Sequence, residues 1–224
     1  MNQLGLPFAL NAKMLWRNFI GDKNQQILEF LSGLFAQQSS SVVYVYGAQS
    51  SGKTHLLQGC AFKALEKSLK IAYIDFKQDM PSRVLDNLED NDWVCIDNVD
   101  SLEEDQQQEL FDLYNRASNT SVKLIISGKT LPSELNLFKD LKTRLSLATI
   151  FCLETLDDHS KKLIIQQQMD ERNLKIDHKI YDYLFKHYSR DLADLLNAIN
   201  QLDKASLQQK NSITIPLVKQ VLDI

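Results

Sequence analysis

The stretch Gly47-Ala48-Gln49-Ser50-Ser51-Gly52-Lys53-Thr54 reads G-x-x-x-x-G-K-T. It follows the apolar, β-branched run Val42–Tyr46 and opens the helical pattern Lys53–Leu69, the context in which this spacing forms a phosphate-binding loop. Glycines let the backbone approach phosphate oxygens with its N–H groups, and the helix N-terminus adds positive potential. Lys53 can neutralise the β- and γ-phosphates, and the Thr54 hydroxyl can ligate Mg²⁺. Gly47, Ser50, Ser51, Gly52, Lys53, Thr54 and the adjoining His55 are therefore candidate contacts for a nucleoside di- or triphosphate, ATP or ADP.

The second candidate is Asp97, at the end of the apolar run Trp93-Val94-Cys95-Ile96, where a carboxylate can hold the Mg²⁺ shell through water. An acid at position 98 would polarise an attacking water. Asn98 stands there instead, and a neutral amide orients water without acting as a base, which predicts slow intrinsic hydrolysis. Asp100, two residues on, is a candidate substitute. Ser127 ends a third apolar run and suits either a γ-phosphate contact or a plain turn. Phe19-Ile20-Gly21, ahead of the first helical pattern, suits either a wall for the base or a core turn. Arg144 and Arg190 stand out by position, just before the fifth strand and at a helix start. On residue type alone both read as solvated surface arginines, although a cation at a helix start runs against the dipole.

Five short β-branched runs, Val42–Tyr46, Ile71–Phe76, Trp93–Ile96, Lys123–Ile126 and Ala148–Leu153, predict a parallel sheet covered by helices on both faces. Helices are expected over Asn24–Ala36 and Lys53–Leu69, with Leu56, Leu57, Cys60, Ala64 and Leu65 on one face of the latter. After Leu153 only helical patterns follow, over Asp157–Arg172, Asp177–Tyr188 and Asp191–Leu207, then a tail in which Thr214 caps a helix begun by Pro216. The expected division is an extended arm over 1–11, an α/β nucleotide-binding domain over 12–154 and an all-α lid over 155–224.

Composition agrees with this class. The 224 residues are 44% apolar and 24% charged, enough to bury a core, and 7 Gly with 4 Pro disfavour a turn-rich β sandwich. A net charge of −4 gives no general reason to expect nucleic-acid binding. Residues 86–109 hold ten acidic and no basic residues, and 155–224 balance ten against ten, so neither offers the basic stripe of a sequence-specific DNA reader. Cys60, Cys95 and Cys152 are expected as buried thiols in a reducing compartment. His55, His159, His178 and His187 lack metal-ligand spacing and are expected at the surface or at caps. No apolar run is long enough to span a membrane, and no signal-peptide layout is present, which points to the cytoplasm.

Taken in order, the phosphate loop, Asp97, Ser127, Arg144 and Arg190, preceded by Trp16-Arg17-Asn18-Phe19-Ile20-Gly21, resemble the AAA+ ATPase module of the bacterial replication initiator DnaA family from about residue 12 to 224. The resemblance implies an AAA+ P-loop NTPase fold, a five-stranded parallel sheet with the sensor strand between the two nucleotide strands, then a small all-α lid. It also implies an arginine finger at Arg144 and a lid sensor arginine at Arg190. DnaA continues into a helix-turn-helix domain, which has no counterpart here, and carries an acid where Asn98 stands. Val94–Asn98, Phe111–Arg116 and Gln201–Ser206 resemble a regulatory, DnaA-homologous inactivator within the family. Gln3-Leu4-Gly5-Leu6-Pro7-Phe8 is similar to the short motif by which replication proteins bind the β sliding clamp of DNA polymerase III. Leu6 and Phe8 would sink into an apolar pocket and Gln3 would orient the extended peptide, with Leu4 and Pro7 also in the clamp-binding stretch.

The resemblance thus implies DnaA and the clamp as partners, ADP as working ligand with Mg²⁺, self-association as a frequent property of such modules, and Arg144 acting in trans on initiator-bound ATP. The competing expectations are an autonomous AAA+ ATPase acting as helicase loader or clamp-loader subunit, and a small-molecule P-loop kinase. The kinase would need lid arginines beyond Arg172 and Arg190.

Overall fold

The computed structural model describes residues 10–21, 24–170, 172, 174, 176–209 and 212–224. The arm candidates Gln3, Leu4, Leu6, Pro7 and Phe8 lie outside the described residues. Helix α1 (Gln25–Leu34) precedes strand β1 (Ser41–Tyr46), and α2 (Lys53–Glu66) leads to β2 (Ile71–Asp75). Then come β3 (Trp93–Asp97), α3 (Glu104–Ala117), β4 (Lys123–Gly128), α4 (Lys139–Ser146) and β5 (Thr149–Cys152). Helices α5 (Asp158–Asp170), α6 (His178–His187), α7 (Leu192–Gln209) and α8 (Ile215–Leu222) follow. The chain divides into two compact units between Thr155 and Leu156.

All strand pairs are parallel, in the order β2-β3-β4-β1-β5, so β4 lies between β3 and β1. Parallel register brings the carboxyl ends of the strands to one edge: Val45 is level with Ser127, Tyr46 with Gly128 and Cys152, and Asp75 with Asp97. The period of two in a strand splits the core. Val43, Val45, Tyr73, Cys95 and Ile125 face α1 and α2, while Tyr44, Ile74, Val94, Ile96, Leu124 and Ile126 face α3 and α4. Both faces being covered explains why β3 and β4 read as continuous apolar runs.

Two expectations fail for geometric reasons. In α2 the buried face is Leu56, Leu57, Cys60, Ala61 and Ala64, and Leu65, a further 100° round the helix, is exposed. Cys60 and Cys95 are buried, but Cys152 is exposed because β5 is an edge strand, with no strand beyond it to cover its last residue. The second unit has its own core, in which Ile165, Met169, Leu184, Leu195, Ile199 and Leu202 pack together. Its helix starts are capped by side chains: Asp177 accepts from Lys179 N at 2.9 Å and Thr214 from Leu217 N at 3.4 Å.

Residues 10–20 form a strap across α2. Asn11 N donates to Gln58 Oε1 (2.9 Å), and Trp16 Nε1 donates to Leu56 O (3.3 Å). Trp16 seats directly on Gly59, where an added Cβ would lie 2.1 Å from Trp16 Cδ1. Gly59→Ala gains about 1 kcal/mol of helix propensity, but the displaced indole costs about 2–3 kcal/mol of packing. The expected result is a net loss in urea unfolding together with a red shift of Trp16 emission. A more stable variant with unchanged emission would contradict this account of the strap.

Candidate functional site

The loop 47–54 joins β1 to α2 at the carboxyl edge of the sheet. Two glycines make its path possible. Gly52 has φ +97°, a left-handed conformation that L side chains rarely adopt, and it opens α2 by accepting from Leu56 N at 2.9 Å. Gly47 passes so close to β5 that a Cβ would lie 2.6 Å from Leu153 O. Lys53 Nζ donates to Gly47 O (2.6 Å) and Ala48 O (2.8 Å), which holds the ammonium across the loop. Burial pulls its pKa down, opposed by the carboxylates of Asp97 and Asp100. Ser51 is buried, while Ser50 and Thr54 are half-buried.

Asp97 ends β3 with no solvent exposure. Ser127 Oγ donates to its Oδ1, and Tyr73 OH donates to its Oδ2 at 3.1 Å. Ser127, expected as either a γ-phosphate contact or a turn residue, thus turns its hydroxyl onto Asp97. Asn98 sits in the left-handed region at φ 60°, which Asn tolerates better than most residues. Its backbone N–H donates to Ser127 Oγ (3.2 Å), and its side-chain amide donates to Asp75 Oδ1 (2.7 Å). Asp100 is half-buried, its side chain 8% exposed, with Lys129 Nζ 2.9 Å from its Oδ2, so this carboxylate is engaged in an ion pair. A recess of about 440 Å³ opens beside the loop, walled by Gly47, Ala48, Lys129, Glu134, Cys152 and Leu153 among others.

On the other flank, the Phe19 ring packs 3.0 Å from the Cβ position of Gly52 and edge-on to His55. His55 is half-buried, not a surface residue. Its Nε2 lies 2.9 Å from Leu15 O, a partner that only accepts, so Nε2 carries the proton. Burial lowers its pKa below the usual imidazole value. Ile20 is half-buried in the same strap.

The donor set suits a hard divalent cation: an alcohol at Thr54 and a carboxylate at Asp97. Among the described residues no cluster of three His, Cys, Asp or Glu side chains could hold a metal by itself. A cation here therefore needs phosphate and water oxygens to complete its shell.

Arg144 lies in the last turn of α4, where a cation suits the helix dipole, while Leu141 and Leu145 fill the buried face. It is exposed, and its guanidinium makes no hydrogen bond or ion pair among the described residues. Arg190 precedes α7 and does not open it. Asp191 caps that helix through Ala193 N (2.8 Å), and Arg190 Nη1 lies 3.3 Å from Asp158 Oδ2. The carboxylate of Asp158 thus supplies a local reason for an arginine at this end.

A family model described as the bacterial DnaA ATPase domain matches residues 10–152, and one described as Hda, lid domain, matches 157–222. The chain belongs to the DnaA-related AAA+ family. Its second unit is an Hda-type lid. An uncharacterized protein of Haemophilus influenzae is 32% identical over 228 residues, covering 99% of both chains. Domain III of the replication initiation protein DnaA of Thermotoga maritima superposes with a TM-score of 0.82 at 20% identity, covering 96% of this chain and 98% of that one. AMPPCP-bound DnaA from Aquifex aeolicus gives 0.74 at 22%, covering 90% and 68%. In this DnaA-related chain, Gly47–Thr54, Asp97, Asn98 and Ser127 meet at one edge, and Arg144 is carried on α4. No helix among the described residues is long and apolar enough to cross a membrane.

Sequence reasoning missed Tyr73, which has the period of a core strand residue, and Gln58 and Asp75, which have no motif context. Asp75 explains Asn98: a carboxylate at position 98 would meet another within 2.7 Å. The variant Asn98→Asp should be less stable than the wild type at pH 7 by about 1–3 kcal/mol. One carboxyl of its pair has a folded pKa raised above the unfolded value, so its protonation favours the folded form and the deficit shrinks as pH falls through the carboxylate range. Urea midpoints at pH 7 and pH 4.5 test this, and a deficit that widens toward pH 4.5 would contradict it.

Proposed function

We propose that this chain is a regulator of replication initiation that promotes hydrolysis of ATP bound to DnaA, leaving the initiator in its ADP form. Its own site holds ADP as a structural ligand. Backbone amides of 47–54 and Lys53 bind the phosphates, and Thr54 and Asp97 hold Mg²⁺. The bound nucleotide and cation supply charge that fixes the loop. Phe19 and Ile20 flank the base.

The observation that carries this reading is the contrast between Asn98 and Arg144. The acid position of the chain's own site is an amide already committed to Asp75, so position 98 supplies no general base. Arg144 meanwhile is exposed and unpaired among the described residues, free to serve a neighbour's site. A guanidinium supplied in trans stabilises charge developing on a transferred phosphoryl group and is worth about 10³–10⁵ in rate. The arm Gln3–Phe8 tethers the chain to the DNA-loaded β sliding clamp, raising its concentration beside the initiator.

Single-turnover decay of ATP preloaded on DnaA, with this chain and ADP, is expected to accelerate only when clamp is loaded on DNA. Arg144→Ala should reduce that acceleration by about 10³ or more, without changing ADP affinity. Full stimulation by Arg144→Ala would remove the finger assignment. Consumption of free ATP by the chain alone, without acceleration on DnaA, would favour an autonomous motor. Leu6→Ala/Phe8→Ala should weaken clamp capture about tenfold or more, as loss of two buried apolar anchors requires. Unchanged clamp affinity would remove the arm assignment.

A further inference from the structure

We infer that Gln58 and Tyr73 are positioning residues for the carboxylate of Asp97, fixing its hydrogen bonds from the far side of α2 and tying it to the strap. This rests on the nucleotide reading of the site above. The argument is one of donor direction. The Asn11 backbone N–H can only donate, and it donates to Gln58 Oε1 at 2.9 Å. The amide nitrogen of Gln58 must then face the other way, and it lies 3.4 Å from Tyr73 OH. The phenol oxygen accepts there, so its single proton is directed at Asp97 Oδ2, 3.1 Å away.

The other carboxylate oxygen is served in the same manner. Asn98 N–H donates to Ser127 Oγ at 3.2 Å, which leaves the Ser127 proton for Asp97 Oδ1. Both hydroxyls therefore receive a bond from an N–H and pass their own hydrogen to Asp97. The carboxylate is an acceptor on both oxygens, with one lone pair on each left for a cation's water shell. Turning the Gln58 amide over would present Oε1 to Tyr73 and draw its proton off Asp97. The Asn11 amide prevents that.

Burial makes the arrangement selective. Gln58, Tyr73 and Asp97 are each less than a tenth exposed, so water does not substitute for a missing partner. Burial, with Asp97 beside it, pushes the Tyr73 phenol pKa up. Gln58 is buried on α2, and its amide bridges two partners, accepting from the Asn11 N–H and donating to the Tyr73 hydroxyl.

Calorimetric titration of ADP into the full chain, once with Mg²⁺ and once with EDTA, gives the gain in affinity due to the cation. Tyr73→Phe removes one oxygen and keeps the ring. It is expected to cut that gain about tenfold while leaving the affinity in EDTA within about twofold of wild type. Gln58→Met, similar in volume, should act in the same direction more weakly. A purely structural role would lower the melting temperature of both variants and leave the ratio of the two affinities unchanged. That outcome, or an equal loss in both conditions, would overturn the inference and spare the nucleotide reading. Wild-type chain that binds ADP in neither condition would overturn both.

Discussion

Asp97 is a charge without solvent at the end of an interior strand. An unpaired carboxylate there would cost several kcal/mol, so its neighbours must supply donors. Those neighbours come from every adjoining element: Tyr73 from β2, Ser127 from β4 and, through Ser127, the backbone of Asn98. The parallel register is what brings them level, since Asp75 pairs with Asp97 and Cys95 with Ile125, two residues before Ser127. Antiparallel neighbours would place alternate strand ends at opposite edges, and Asp97 would lose half its partners.

The same register explains where the phosphate loop lies. β1 is flanked by β4 and β5, so the chain leaving it crosses to β2 on one side while the last strand returns on the other. In open parallel sheets that reversal leaves a crevice at the carboxyl edge. Gly47 enters it against Leu153 of the β5 end, and Lys53 reaches back over the loop toward Asp97 and Asp100. The loop and the carboxylate thus meet because of strand order, not because of closeness in sequence.

How much of this was legible in the sequence follows from the range of each signal. The loop 47–54, the five strands and the helical lid carry short-range patterns, and these are the features that the spacing and periodicity identify. Tyr73 and Gln58 carry none: Tyr73 has the period of a core strand residue, Gln58 has no motif context, and only the packing of α2 on β2 and β3 brings their polar atoms together. Cys152 was read as buried because strand order, which makes β5 an edge, is not encoded in the strand itself. Arg190 looked like an unfavourable helix start because Asp158, its partner, is 32 residues away in sequence. Position 98 carries an amide where an acid would polarise water, and the carboxylate that this amide satisfies lies on a different strand.

That last pairing bears on why an amide suits this site. Asp75, Asp97 and Asp100 crowd one edge, answered by the ammonium groups of Lys53 and Lys129, with Lys77 also close enough to influence Lys53. Burial pulls the Lys53 pKa down, and the carboxylates of Asp97 and Asp100 oppose that shift. A fourth carboxylate at 98 would contact Asp75 directly and compete for the same two lysines. Asn98 relieves that crowding and adds a donor to Asp75 through its side chain, while its backbone N–H orients Ser127 toward Asp97. Loss of a base and gain of a bonded, charge-balanced edge are therefore one change. Such an edge is suited to holding a nucleotide in place, and chemistry on a triphosphate would have to draw its charge stabilisation from elsewhere.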